Sequence, residues 1–186
     1  MRLTLTTITA LFLLLTASTS WAQDVIDVKP FDELLKQYVD KRGRVDYAGL
    51  KANADDKAKL DAFAAKIDGA KVQGSDSAKL AFYINAYNVY VIKSIVDLYP
   101  IKSVMKVKGF FKERKHPIAG KKMTLDALEN ALIRKEFKEA RIHFVLVCGA
   151  KSCPRLQRKA ATEKNLEGLL ESATKQFVPK ATKVAD

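Results

Sequence analysis

Cysteine is scarce in this chain. Two residues, Cys148 and Cys153, are all that 186 positions contain, which excludes a disulfide-dense scaffold and leaves stability to apolar packing. Histidine is equally rare, with only His116 and His143. A Cys-x4-Cys spacing with one histidine remote in sequence does not make a typical zinc set, so no metal site is expected. The chain also lacks G-x-G-x-x-G, a Walker loop, G-x-S-x-G and H-E-x-x-H, and no nucleotide or other cofactor is expected. Uninterrupted apolar runs long enough to span a membrane are missing too. The stretch from Ile8 to Leu15 is shorter than the roughly 20 residues a membrane span needs. No internal repeat or low-complexity domain is visible.

Positive charge is abundant. Lysine and arginine number 33 against 21 aspartates and glutamates, a formal net charge of +12. Such a surplus favours association with anionic surfaces. The lysines are scattered through every segment, not clustered with exposed aromatics, so nucleic acid is not expected as a partner. Arg2, the apolar run and the end at Ser20-Trp21-Ala22 read as a secretory signal cleaved after Ala22. The expectation is an exported protein, periplasmic or extracellular, whose residues 23–186 form a single domain large enough for a real core.

Hydrophobic spacing places helices along most of that domain. Phe31, Leu34, Leu35, Tyr38 and Val39 share one helical face. A turn at Lys41-Arg42-Gly43 leads into a short extended piece, Arg44 to Tyr47. Ala48 to Ile67 reads as a lysine-rich amphipathic helix, and Ala70 to Gly74 as a loop. Ser75 to Ser77 offers caps for a helix from Ala78 to about Leu98, apolar almost all round and therefore a buried central helix. Pro100 ends it. Ile101 to Val107 reads as a short strand or turn, and Gly109 to Gly120 as a basic surface loop holding His116. Thr124 caps a helix from Leu125 to about Phe137. Ile142 to Val147 reads as a buried strand. Pro154 is placed to begin a helical turn, Leu166 to Phe177 forms a last helix, and the chain from Val178 is a frayed tail. The fold class is α+β: helix-rich, one domain, a buried central helix and a small sheet.

The chemistry-bearing residues concentrate between Arg141 and Pro154. Cys148 follows the apolar run directly, with Gly149 allowing a sharp turn and Lys151 and Arg155 adding positive charge. Such surroundings lower a thiol's pKa. A Cys148–Cys153 disulfide across the intervening loop is the structural alternative, and two buried free thiols a third. His143 is the available base, yet five residues of regular strand separate it from Cys148 by about 16 Å and put the two on opposite faces. A satisfied core histidine is its other reading. Glu129 shares a helical stripe with Leu125, Leu132 and Ile133, so a buried carboxylate needs a partner. It either orients His143 as in a triad or forms a structural ion pair. Asn85 and Asn88, one turn apart in the central helix, either hold substrate or tie a neighbouring loop to the helix.

Several blocks in order resemble a known family. They are Gly43-Arg44-Val45-Asp46-Tyr47-Ala48-Gly49-Leu50, Ala81-Phe82-Tyr83-Ile84-Asn85-Ala86-Tyr87-Asn88, Tyr99-Pro100-Ile101-Lys102-Ser103-Val104, Leu125-Asp126-Ala127-Leu128-Glu129, and Arg141 through Pro154. Together they are similar to the domain of unknown function 547 family, as an exported bacterial member, over about residues 30–178. The resemblance implies a compact α+β domain related to papain-like thiol hydrolases, with Cys148, His143 and Glu129 as the site. Bacterial relatives continue past the last helix into an aromatic-rich segment ending near a W-Y-x-x-D-F-like motif. This chain stops at Asp186 without one, as a C-terminally truncated member would.

Three functions follow as expectations. One is a cysteine-dependent hydrolase or transferase acting on an amide or thioester-like substrate, with Cys148 as nucleophile, His143 as base, Glu129 as its orienter, and Asn85 or Asn88 on the substrate. The second is a non-enzymatic periplasmic domain that binds a small molecule or peptide and keeps Cys148–Cys153 as a structural disulfide. The third is a small-thiol-handling protein.

Overall fold

The computed structural model describes residues 25–150 and 153–181, and the expected signal at residues 1–22 lies outside the described residues. Helix α1, Lys29–Tyr38, starts with Pro30 in its first turn, where a missing N–H costs nothing. Phe31, Leu34, Leu35 and Tyr38 face inward, as their spacing predicts. The single helix expected from Ala48 to Ile67 is two: α2, Tyr47–Ala52, and α3, Ala54–Asp68. Asn53 divides them. Its backbone is extended and its side chain accepts from the Asp56 N–H at 3.0 Å, a cap that competes with continuing the helix. Tyr38 then donates to the buried Asp56 carboxylate at 2.7 Å, joining α1 to α3.

Helix α4, Asp76–Leu98, is the central element. Ser75 caps it by accepting from the Ala78 N–H at 3.1 Å, and sixteen of its residues are buried. It packs against α2 and α3. After α4 comes a 3-10 turn at Val104–Lys106, so the turn alternative for Ile101 to Val107 is the one formed. Among the described residues no helix is long and apolar enough to cross a membrane.

The small sheet is present, but not where the hydrophobic run predicts it. Strands β1, Lys115–Ile118, and β2, Lys121–Thr124, pair antiparallel in the segment expected to be a surface loop. Ala119 and Gly120 join them, both at positive φ, which is the geometry of a two-residue hairpin turn. Their N–H groups donate to the Ile67 and Asp68 carbonyls at 2.9 and 2.7 Å, docking the hairpin on the end of α3. Ile118 and His116 thereby become buried.

Thr124 caps the next helix as expected, accepting from the Ala127 N–H at 3.1 Å. That helix winds as a π-helix over Ala127–Ile133 and closes as α5, Arg134–Phe137. The expected strand at Ile142 to Val147 is absent. Ala140–Phe144 is a 3-10 turn, followed by an irregular passage in which Val145, Leu146 and Val147 are buried. An apolar run reports burial, and burial does not require a ladder when side chains satisfy the backbone. Pro154 begins no helix. The last helix, α6, spans Leu166–Ala181, so Val178 is helical instead of frayed. Arg141 fastens α6 by donating to Glu167 at 2.6 and 3.0 Å while also holding Glu139.

Candidate functional site

The first sequence block meets the chain just beyond the last one at a single glycine. The Asp40 carboxylate shapes the first block, accepting from the Arg42 and Arg44 N–H groups at 2.8 and 2.9 Å and from Arg44 Nε at 2.7 Å. These bonds, the Arg44 N–H foremost, hold the Asp40 carboxyl down at about 2. Gly43 sits at φ 75° in this turn, and a Cβ there would stand 2.6 Å from Arg155 Cβ and 2.9 Å from Leu156 N. Only glycine permits both the conformation and the approach. The turn at residues 40–46 is thus pressed against the chain that follows the second cysteine.

The other wall is built on the chain from Ala140 to Ala150 and from Cys153 to Leu156. Asn88 fixes its middle, donating to the Val145 carbonyl at 2.9 Å and accepting from the Val147 N–H at 3.0 Å. Asn85 does the same for Ala161, at 2.7 and 2.9 Å. Each amide thus spends its oxygen and one N–H on backbone, as the loop-tying alternative expects. Beyond Val147 the chain turns at Gly149, φ 74°, where a Cβ would meet Ile95 Cδ1 at 2.7 Å. Cys148 and Cys153 are joined in a disulfide with their Cα atoms 6.1 Å apart.

Between these walls lies a cleft of about 960 Å³, a size typical of small-molecule sites. Val91 and Ile92 of α4 form its floor with Val147, and Phe177 of α6 closes one side. Cys153 lies in its wall. Arg42, Arg44 and Arg155 are charged residues of its lining, and among the described residues no carboxylate joins them there. Tyr47 also lines it; burial pushes its hydroxyl up to about 12, so it remains a neutral donor at ordinary pH.

The remaining expected site residues do not converge. His143 is exposed on the 3-10 turn and touches the rings of Phe144 and Phe177, at centroid distances of 5.6 and 6.3 Å. It is not a core histidine, because the segment is not a strand. Glu129 is half-buried and paired with Arg134 at 2.8 Å, with the Tyr87 hydroxyl also against it. Its π-helical segment delivers it to Arg134, the ion-pair alternative. Among the described residues no hydrogen bond links Cys148, His143 and Glu129.

Two features escape the sequence reading. His116 is buried in β1, its ring stacked on Tyr90 at 4.7 Å, and its Nε2 has no hydrogen-bond partner among the described residues. Nothing in a lysine-rich stretch signals that a hairpin will cover it. The arginine group is the other. Its trace in the sequence is the pairing of Arg42 and Arg44 around Gly43 with Arg155 just after Pro154, meaningful only once the two turns are in contact.

The family model described as Protein of unknown function, DUF547, matches residues 72–178. The chain belongs to this family. The match runs from just before α4 into α6 and takes in Asn85, Asn88 and both cysteines, while the Gly43 turn precedes it. No curated protein and no solved structure matches the chain. The family's function is uncharacterised, so the papain-like relationship gains no structural relative here. Among the described residues no group of three or more His, Cys, Asp or Glu side chains is placed to hold a metal ion.

Proposed function

We propose that this DUF547 chain is an exported binding domain, without a catalytic thiol, whose ligand occupies the cleft over Val91 and Ile92. One observation carries the reading: Gly43 against Arg155 closes a cavity of small-molecule size, and beside it Cys148 is committed to a disulfide. A bonded sulfur is no nucleophile. Export rests on the signal-like residues 1–22 and accords with a compartment where disulfides persist. The ligand is a small molecule or short peptide, and Asn85 and Asn88 support the walls that enclose it.

Alkylation across pH, mapped by mass spectrometry, tests this. Neither cysteine of the untreated protein should be labelled, and labelling after reduction should accompany a stability loss of about 2 kcal/mol, as expected for opening a short disulfide loop. Labelling of Cys148 in unreduced protein well below pH 8, lost in His143→Ala, would instead establish the cysteine-dependent hydrolase or transferase. A second reading, small-thiol handling, is favoured by the position of Cys153 in the cleft wall. It requires rapid, reversible mixed-disulfide formation with glutathione.

A further inference from the structure

We infer that the cleft takes an amphipathic oxyanion, a carboxylate or phosphate head on an apolar body, with Arg42 and Arg155 holding the head. The inference rests on the binding reading above and adds the chemistry of the ligand. The three guanidinium groups are not equivalent. Arg44 is occupied, since both its Nε and Nη2 reach the Asp40 carboxylate at 2.7 Å. Arg42 and Arg155 are exposed, and neither side chain has a hydrogen-bond or ion-pair partner among the described residues. The contact between Gly43 and the Arg155 backbone brings them to the same edge of the cleft from chain positions far apart.

A concave surface with charge of one sign concentrates its field; the nearby Asp40 carboxylate is taken up by Arg44, and among the described residues no carboxylate lines the cleft itself. Guanidinium forks match the paired oxygens of carboxylate and phosphate better than ammonium groups do. The floor has the opposite character. Val91, Ile92 and Val147 are buried apolar residues that the cleft still reaches, and Phe177 flanks them. The Tyr47 hydroxyl has no partner among the described residues and supplies one neutral donor between the two halves. A bare anion at the edge would meet only exposed, salt-screened arginines. An uncharged body would leave them unused. Tight binding therefore requires head and body together.

Calorimetric titration of the purified protein at low ionic strength, with octyl phosphate, octanoate, 1-octanol and inorganic phosphate as separate probes, tests the inference. Octyl phosphate and octanoate should bind at least about tenfold more tightly than octanol or inorganic phosphate. Arg42→Ala and Arg155→Ala should each weaken octyl phosphate by about three- to tenfold, and Phe177→Ala should weaken it through the body. Lys135→Ala, outside the cleft, should change nothing. Equal loss in Lys135→Ala would reduce the effect to general basicity and overturn the inference. Octanol binding as well as octyl phosphate, with the arginine variants unaffected, would overturn the anionic head while leaving a binding cleft in place. Absence of binding by all four probes would overturn the inference too, whereas the binding reading itself falls only if alkylation finds an activated Cys148.

Discussion

Helix α4 has two buried sides that handle polar atoms differently. On one, Asn85 faces the chain at Ala161 and Asn88 faces it at Val145 to Val147, and each amide exchanges two hydrogen bonds with a backbone that forms no ladder. On the other, Tyr90 faces the hairpin, its hydroxyl lying between the Ala64 and Pro117 carbonyls, and the His116 ring stacks on it with Nε2 unmatched. The first side is satisfied and so can be irregular without penalty. The second is regular in backbone and yet contains the group that acid can attack. Secondary structure and polar satisfaction are separate requirements, and this helix meets them separately on its two faces.

The largest expected effect comes from breaking the satisfied side. Asn88→Ala leaves the Val145 carbonyl and the Val147 N–H buried and unpaired, and urea denaturation should show a loss of about 3 kcal/mol. A loss near that of an exposed substitution would mean water replaces the amide and the passage is not dry.

Lowering the pH tests the other side. Burial, helped by Arg114 and Lys93, takes the His116 imidazole from 6.5 down to about 4. The unfolded chain therefore binds more protons between those values. Stability should fall as pH drops through that window, by up to about 3 kcal/mol. His116→Phe should flatten that part of the stability–pH curve. An unchanged slope in the variant would assign the acid sensitivity elsewhere.

The smallest effect concerns how the irregular passage is held from outside. Arg141→Ala frees Glu139 and Glu167, which are partly or largely exposed, and should cost about 1 kcal/mol. Hydrogen exchange should rise at the start of α6 and not in α4. Uniform loosening would show that the passage and α4 open as one unit.

The helices were legible where one periodicity dominates. α1 and α4 follow from apolar spacing and from Pro30 and Ser75, and the Thr124 cap from its position before an apolar stripe. The hairpin was not legible, because Lys115 to Thr124 alternates too weakly to announce a strand. What holds the hairpin is the end of α3, and what covers His116 is Tyr90 of α4, both distant in sequence. The reverse error occurred at Ile142 to Val147, where β-branched residues mark burial but Asn88 removes the need for a partner strand. Of the expected site residues, Cys153 lies in the wall of the cleft and Cys148 is bonded to it.

By itself, the sequence determined the class of the molecule: helix-rich, one buried central helix, few cysteines and a strong positive charge. Those properties depend on residue type and local period, which are readable along the chain. Only the tertiary structure decided that Arg42 and Arg155 share an edge, that Asn85 and Asn88 serve backbone, and that Glu129 answers Arg134 instead of His143. Each depends on which distant backbone approaches which side chain, and a glycine at residue 43 permits such an approach without specifying its partner.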